Sequence, residues 1–378
     1  MQMCSIQAAV AAAEPRLLAR LRELVEVESP SDDKAAVDRA MALAAGWAQT
    51  LGATVKRHKQ KSFGDVLELR FGAAKSKRAR VLLLGHLDTV WPLGTLAKMP
   101  WREAGGKIYG PGVLDMKSGV VMALEAIAAL QTLKLNRPIT LLLNSEEEIG
   151  SPISRPITEK IAKQCAAVFV LEPAQVLAYK TARKGIGNYK LHVAGVASHS
   201  GVDFERGHSA VLEMSRLIQA VSAFTDPARG ITVNVGTVRG GTQSNVVAAE
   251  CSATVDVRIV KAADGARVDK LFRALRVTDK SCKLTVTGGI NRPPMERKPG
   301  TVALYKQARK LAAEMGFTLD EAATGGGSDG NFTAAIGVPT LDGMGPVGAG
   351  AHAAHEHIER AHILERTALL AGMIAAVE

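Results

Sequence analysis

Aromatic residues are scarce in this sequence, at 4% of 378 positions, so aliphatic side chains and alanine must fill its core. Cysteine is scarcer still. Cys4, Cys165, Cys251 and Cys282 lie far apart and form no Cys-x-x-Cys pair, which argues against a cysteine-ligated zinc site and against a disulfide scaffold. Cys165 and Cys251 stand in apolar, strand-like surroundings. They read as buried free thiols, as suits a reducing cytoplasm. No apolar run approaches the length of a membrane span, so no membrane partner is expected. Residues 1–13 lack a basic leading segment, and residues 8–13 are too few and too weakly apolar for an export signal. The expected location is cytoplasmic. Low-complexity tracts and short-period repeats are also absent.

What is present is ordinary for a globular enzyme: 47% hydrophobic and 22% charged residues, in a length ample for two domains. The formal net charge is +10, with basic clusters at residues 56–61 and 75–80. A basic surface attracts nucleic acid or acidic small molecules. Both clusters, however, flank predicted strands, where solvated Lys and Arg are common. No nucleic-acid motif accompanies them, and no nucleic-acid partner is expected.

Apolar spacing predicts helices over residues 15–28 and 35–51, the second stopped by Gly52. Strand signals follow at 66–71 and 80–84, the latter a continuous apolar run of the kind buried on both faces. A helix over 116–130, strands at 139–144 and 166–171, and a helix over 157–163 complete an α/β pattern. The character changes near Lys184. A strand at 188–193, a helix over 207–224, strands at 231–238 and 245–259, a helix over 265–275 and a strand at 283–287 give the order β-α-β-β-α-β. That order marks a small α+β unit with an antiparallel sheet. Arg292-Pro293-Pro294 ends it. A helix over 301–315, the turn Gly325-Gly326-Gly327, a strand at 338–341 and a helix over 363–377 restore the α/β style. The parse is a main domain of residues 1–183 and 293–378, with a mainly parallel sheet, interrupted by an inserted domain of residues 184–292.

Acidic and histidine-containing segments gather at one kind of place. His86-Leu87-Asp88-Thr89, the Glu146-Glu147-Glu148 run and Glu172-Pro173 each follow a predicted strand, and Asp115 opens a helix after Gly110-Pro111-Gly112. In open α/β sheets ligands collect at the carboxyl ends of strands. Carboxylates converging there repel one another unless cations hold them together. A neutral histidine among them favours zinc over magnesium or calcium. Asp88, two residues beyond His86 in an extended segment, points the same way and can orient the imidazole. Singly, each of these residues reads as a surface or capping group; the ensemble beside buried elements does not.

In order, the motifs are His-Leu-Asp-Thr, Gly-Pro-Gly-Val-Leu-Asp-Met-Lys-Ser-Gly, Glu-Glu-Ile-Gly-Ser, Leu-Glu-Pro, Gly-Gly-Gly-Ser-Asp and His352-Ala-Ala-His-Glu356. This series resembles the co-catalytic zinc exopeptidases and deacylases, from about Leu17 to the C-terminus. Residues 204–210 and 325–330 look closest to the glutamate carboxypeptidase branch. The resemblance implies a zinc-exopeptidase catalytic domain with an inserted lid and dimerisation domain, and two Zn2+ ions for which Co2+ or Mn2+ can substitute. Asp115 would bridge the metals, His86 and Glu172 completing one site, Glu148 and His352 the other. His355 is the alternative to His352, since His352, His355 and His357 crowd one stretch and the family spacing His-x-x-x-Glu selects the first. Glu147 would be the general base, taking a proton from water that the metals acidify toward a pKa of ~7 and passing it to the leaving nitrogen. The resemblance also implies a cis bond between Asp115 and Met116.

In the inserted domain, Ala197-Ser198-His199-Ser200-Gly201 matches the turn whose histidine reaches from a partner subunit to stabilise the oxyanion, which implies a homodimer. Asn245, Arg258, Arg292 and Gly327 match positions around the substrate, a small molecule or peptide with a free carboxylate. The alternative for either arginine is a salt bridge within its own domain. The expected activity is amide hydrolysis, releasing C-terminal glutamate from folate-like or N-acyl substrates. A deacylase of N-acyl amino acids or a dipeptidase would share every catalytic residue. An inactive binding protein of the same fold should have lost Glu147 or a ligand, and this chain has lost none.

Overall fold

The computed structural model describes residues 3–72, 78–135 and 137–377. Lys75 and Lys77 of the second basic cluster lie outside them. The chain opens with helices α1 (Met3–Ala11), α2 (Glu14–Val25) and α3 (Lys34–Thr50), then strands β1 (Thr54–His58), β2 (Val66–Phe71) and β3 (Val81–His86), and the short strands β4 (Arg102–Ala104) and β5 (Lys107–Tyr109). Next come α4 (Ser118–Thr132), β6 (Ile139–Asn144), α5 (Ser154–Ala162), β7 (Ala167–Val170) and β8 (Tyr179–Arg183). The middle of the chain forms β9 (Gly185–Ala194), α6 (Ala210–Ser222), β10 (Thr232–Gly240), β11 (Glu250–Ile259), α7 (Ala262–Ala274) and β12 (Lys283–Arg292). The remainder is α8 (Pro299–Glu314), β13 (Glu321–Thr324), α9 (Gly330–Ala335), β14 (Thr340–Leu341), β15 (Gly348–Ala349), β16 (His357–Glu359) and α10 (Arg360–Ala376). Among the described residues no helix is long and apolar enough to cross a membrane.

These elements form two compact units. The first contains residues up to Ala182, Arg297–Thr324 and Ser328 onward; the second contains Arg183–Glu296 and Gly325–Gly327. The first is built on a six-stranded sheet of order β1-β2-β6-β3-β7-β14, in which β6, β3, β7 and β14 run parallel. Alternate residues of its central strands enter opposite cores. Leu83, Leu141 and Phe169 pack on one side with α2, α3, α4 and α10, and Leu82, Leu142 and Val168 on the other with Ile161 and Ala162 of α5. Burial on both faces explains why these strands read as unbroken apolar runs. Each such side chain contributes roughly 1.5–3 kcal/mol on burial. Because the strands are parallel, their carboxyl ends lie along one edge: His86 pairs with Asn144, and Leu84 with Val170.

The second unit is an antiparallel sheet of order β10-β11-β9-β12. Its strands alternate, burying Leu191, Val193, Val255 and Val257 against Met214 and Leu217 of α6 and Val268 and Phe272 of α7. The order β9-α6-β10-β11-α7-β12 is the one expected. So the fold is mixed α/β with a mainly parallel central sheet and a second α+β unit.

Several expectations need correction. The helix expected from Met116 begins at Ser118, because Asp115 (φ −117°, ψ 95°) and Met116 (φ −133°, ψ 39°) leave helical geometry. The Asp115–Met116 bond is cis, as the resemblance implies. Helix α6 starts at Ala210 rather than near Gly207, because His208 exchanges backbone hydrogen bonds with Val196 and Ser209 caps the helix through Leu212 N–H. Residues 245–249 are not strand. They turn back to pair with the loop of residues 198–200, with Val247 N–H donating to Ser198 and Ser200 N–H to Asn245. Cys165 is only half-buried, whereas Cys251 and Cys282 are buried; all four cysteines are free thiols.

Candidate metal centre

Each polar residue of the centre stands where a main-chain feature delivers it. His86 is the last residue of β3 and its ring is buried. Its Nδ1 lies 3.0 Å from the carbonyl oxygen of Asp88 and 3.3 Å from that residue's Oδ1. A carbonyl only accepts, so Nδ1 carries the proton of the neutral ring and the lone pair sits on Nε2. That Nε2 faces Asp115 Oδ1 at 3.3 Å and Glu172 Oε1 at 3.6 Å. Asp115 presents its other oxygen, Oδ2, to His352 Nε2 at 3.6 Å, and His352 Nε2 also lies 3.1 Å from Glu148 Oε2. Asp115 therefore stands between the two histidines with one oxygen toward each. Glu147 joins the cluster beside His86 and Glu172, ligand atoms lying within 4.8 Å of one another, as do those of His86, Asp115 and Glu148.

Asp88 fixes the Glu147–Glu148 turn. Its Oδ1 accepts Glu147 N–H and its Oδ2 accepts Glu148 N–H, both at 3.1 Å, and Ser31 Oγ donates to Oδ2 at 2.7 Å. Glu356 performs the same service for the Asp115 turn, accepting the N–H groups of Gly112, Leu114 and Asp115 and the Trp91 indole N–H. His352 adopts φ 62°, the left-handed conformation that residues with a side chain seldom take. The His355 ring lies against Gly350.

The charge balance suits a cation. Burial raises the Glu148 carboxyl to about 7, the charge of Asp115 adding to it against the pull of His352. Burial also opposes ionisation of Asp115, but His352 and His86 hold its pKa below the carboxylate range. Contacts with Asp115 and Glu148 push the His352 imidazole up to about 10. His86 is raised well above its ordinary value although burial opposes it, through Asp115, Asp88 and Glu172. Both imidazoles are thus drawn to take up protons beside these carboxylates. Yet His86 Nε2, Asp115 Oδ1 and Glu148 Oε1 are buried without a hydrogen-bond partner. Buried polar atoms left in this state are costly, and all three are good ligands for zinc. The residues fit a metal centre.

Sequence reasoning saw Glu356 only as a spacing partner of His352, and missed Ser31 and Trp91. Ser31 stands in Ser29-Pro30-Ser31, between the first two predicted helices, with no local pattern that marks a partner for Asp88. In the second unit, His199 and Asn245 lie on neighbouring exposed loops, where residues 199 and 246 pair. Gly201 N–H donates to His199 Nδ1 at 3.1 Å, so the neutral ring carries its proton on Nε2 and can donate from there. Arg258 holds Asp256 through two bonds of 2.9 Å and donates to the Gly325 carbonyl at 3.2 Å, the salt bridge that stood as its alternative. Arg292 is buried against Gly327, where an added Cβ would come within 3.0 Å of Arg292 Cδ. Arg183, which the sequence did not single out, donates to the carbonyls of Gly326 and Gly327.

A mainly parallel α/β sheet with histidine and carboxylate side chains clustered beside its strand ends suits a metal-dependent hydrolase of peptide or amide bonds. The model of peptidase family M20/M25/M40 matches residues 82–376, and the chain belongs to that family. It is 30% identical over 377 residues to carboxypeptidase G2 of Pseudomonas sp. (strain RS-16), covering 96% of this chain and 89% of that protein. It is also 28% identical over 280 residues to acetylornithine deacetylase of Myxococcus xanthus, covering 69% and 72%. Among solved structures, aminopeptidase PepT of Bacillus cereus ATCC 10987 superposes with a TM-score of 0.81 at 22% identity, over 96% of this chain and 98% of that one. An M20 family metallo-carboxypeptidase of Sulfolobus solfataricus gives 0.74 at 16%, over 95% and 98%. At those identities the structural matches speak for the fold.

Proposed function

We propose that this enzyme is a zinc carboxypeptidase that releases C-terminal glutamate from folate-like or N-acyl substrates. The observation that carries the hydrolytic part is the splayed Asp115 carboxylate, one oxygen toward His86 and one toward His352, with unpartnered buried atoms on His86, Asp115 and Glu148 around it. The choice of glutamate is supported by the 30% identity to carboxypeptidase G2 over nearly the whole chain.

In this reading two zinc ions would be held by Asp115 together with His86 and Glu172 and with Glu148 and His352. Zinc held there would supply the positive charge that polarises the scissile carbonyl and acidifies water. Glu147 takes the proton of the attacking water and delivers it to the leaving nitrogen. Asp88 keeps the adjacent carboxylates of Glu147 and Glu148 in separate roles by holding both their backbone N–H groups. His199 of a second copy donates its Nε2 proton to the developing oxyanion. Asn245 and Arg292 bind the substrate carboxylate, with Gly327 leaving room beside Arg292. Arg258, clamped by Asp256, acts with them by fixing the Gly325–Gly327 turn. The enzyme works as a homodimer in the cytoplasm, a location supported by four free thiols.

The acetylornithine deacetylase match supports a second reading, removal of an acyl group from an amino acid. Zinc- or cobalt-loaded protein offered N-acyl-glutamates, N-acetyl amino acids and dipeptides, with free amine as the readout, separates them. The expected result is a kcat/KM for N-acyl-glutamates at least about tenfold above the others, a difference of ~1.4 kcal/mol in transition-state binding. Preference for N-acetylornithine or for dipeptides would overturn the glutamate assignment.

A further inference from the structure

We propose that Glu356 is a positioning residue that sets where Asp115 stands relative to His352; this rests on reading those two as metal ligands. Glu356 is buried, and its carboxylate gathers donors from two separate segments. Its Oε1 accepts Leu114 N–H at 2.9 Å and Asp115 N–H at 3.1 Å. Its Oε2 accepts Gly112 N–H at 3.0 Å and the Trp91 indole N–H at 2.7 Å. Trp91 follows closely on His86 in sequence, Leu114 and Asp115 form the turn of the bridging ligand, and Glu356 itself lies four residues beyond His352. One carboxylate thus ties together the segments that carry three of the ligands.

The fold explains how it arrives there. Strand β16 pairs antiparallel with β5, residue His357 opposite Tyr109. Glu356, just before β16, therefore meets the Gly110–Gly112 turn that follows β5. Asp115 needs such support, because neither it nor Met116 has the helical geometry that would place it by α4 alone. Holding Asp115 by its own N–H fixes the side chain 3.6 Å from His352 Nε2, and outer partners of this kind commonly tune metal affinity by about 10–100-fold.

The carboxylate is specific for the task. Each oxygen accepts two N–H groups, so Glu356→Gln must turn an NH2 group against two donors at one end. It keeps the volume and loses the clamp. Trp91→Phe removes one donor and leaves three.

The test titrates Co2+ into metal-free wild type, Glu356→Gln and Trp91→Phe against a chromophoric chelator and records the visible Co2+ absorption of each. Circular dichroism and thermal melts of the metal-free proteins establish which variants fold. The expected result is Co2+ affinity about 10–100-fold weaker in Glu356→Gln, a smaller loss in Trp91→Phe, and an altered Co2+ spectrum in both. A merely structural role would lower the melting temperature and leave the spectrum of the folded fraction unchanged. Wild-type affinity and spectrum in a folded Glu356→Gln overturn the proposal; if that variant does not fold, the same outcome in Trp91→Phe does. Failure of the wild type to bind Co2+ at all would instead overturn the metal reading on which the proposal rests.

Discussion

The carboxylate of Asp88 lies 3.3 Å from Nδ1 of His86, two residues earlier in the chain, while its two oxygens accept the backbone N–H groups of Glu147 and Glu148. One side chain thereby orients His86 on β3 and the acidic turn after β6. Asn at this position has a single acceptor oxygen, so one of the two N–H groups must face an NH2 group. Asp88→Asn is expected to lower kcat by about 10–100-fold at saturating zinc, with KM changed little. Steady-state kinetics check this; a loss confined to KM would mean that Asp88 serves substrate binding.

Asp115 and Glu147 should separate metal binding from proton transfer. Asp115 faces both histidines, so Asp115→Ala is expected to lose bound metal altogether. Glu147→Ala is expected to keep it and to lose turnover by at least about 10²–10⁴-fold, the range for a general base. Metal content by atomic emission, read beside kcat, decides the matter. Equal metal loss in Glu147→Ala would make Glu147 a ligand, a role its position beside His86 and Glu172 also permits. Removal of metal with a chelator should abolish activity, and zinc should restore it.

The parallel sheet and its polar strand ends were legible because burial on both faces leaves continuous apolar runs such as residues 81–84, and a polar residue directly after such a run stands out. The turn at Asp115 was legible only through the resemblance, which implies its cis bond, and not through residue spacing. Its departure from helix is held by hydrogen bonds to Glu356, 241 residues away, and no local pattern reports a partner at that distance. Asn245 was misread as strand for a similar reason, since its segment pairs with residues 198–200 rather than continuing β11. The Arg258–Asp256 pair could have been read, because residues two apart on a strand share a face. In α1, Met3, Ile6 and Val10 have helical spacing, but only their burial against the main core gives that spacing meaning.

A different carboxylate should control the acid limb of stability. Glu68 on β2 is buried and contacts His58 Nε2 at 2.9 Å and the Arg70 guanidinium. Burial raises its pKa, but the contacts with His58 and Arg70 outweigh that and hold it below the usual glutamate range. A carboxylate depressed in the folded state stabilises above its unfolded pKa of ~4.3 and loses that contribution as pH falls through the lower folded value. Glu68→Gln is therefore expected to cost roughly 1–2 kcal/mol at neutral pH, discounted for the partly exposed partners. The gap from wild type should close below about pH 4. Thermal melts of both proteins between neutral and acid pH test this. A gap that widens on acidification would contradict the sign.

Subunit mixing tests whether His199 acts between chains. Its Nδ1 accepts Gly201 N–H, which leaves a proton on Nε2 of the neutral ring and makes the exposed imidazole a donor. In the homodimer proposed above, each active site combines Glu147 of one copy with His199 of the other. His199→Ala and Glu147→Ala homodimers should each be nearly inactive, for different reasons. In a heterodimer of the two, the chain that retains Glu147 meets a partner that retains His199, so one composite site is whole and the other lacks both groups. Random exchange in an isologous dimer makes half the dimers mixed, so recovery should approach about a quarter of wild-type activity. Activity is measured after mixing, with exchange verified by differently tagged subunits. Absence of recovery in subunits that do exchange would mean that His199 serves its own chain or plays no part in the chemistry.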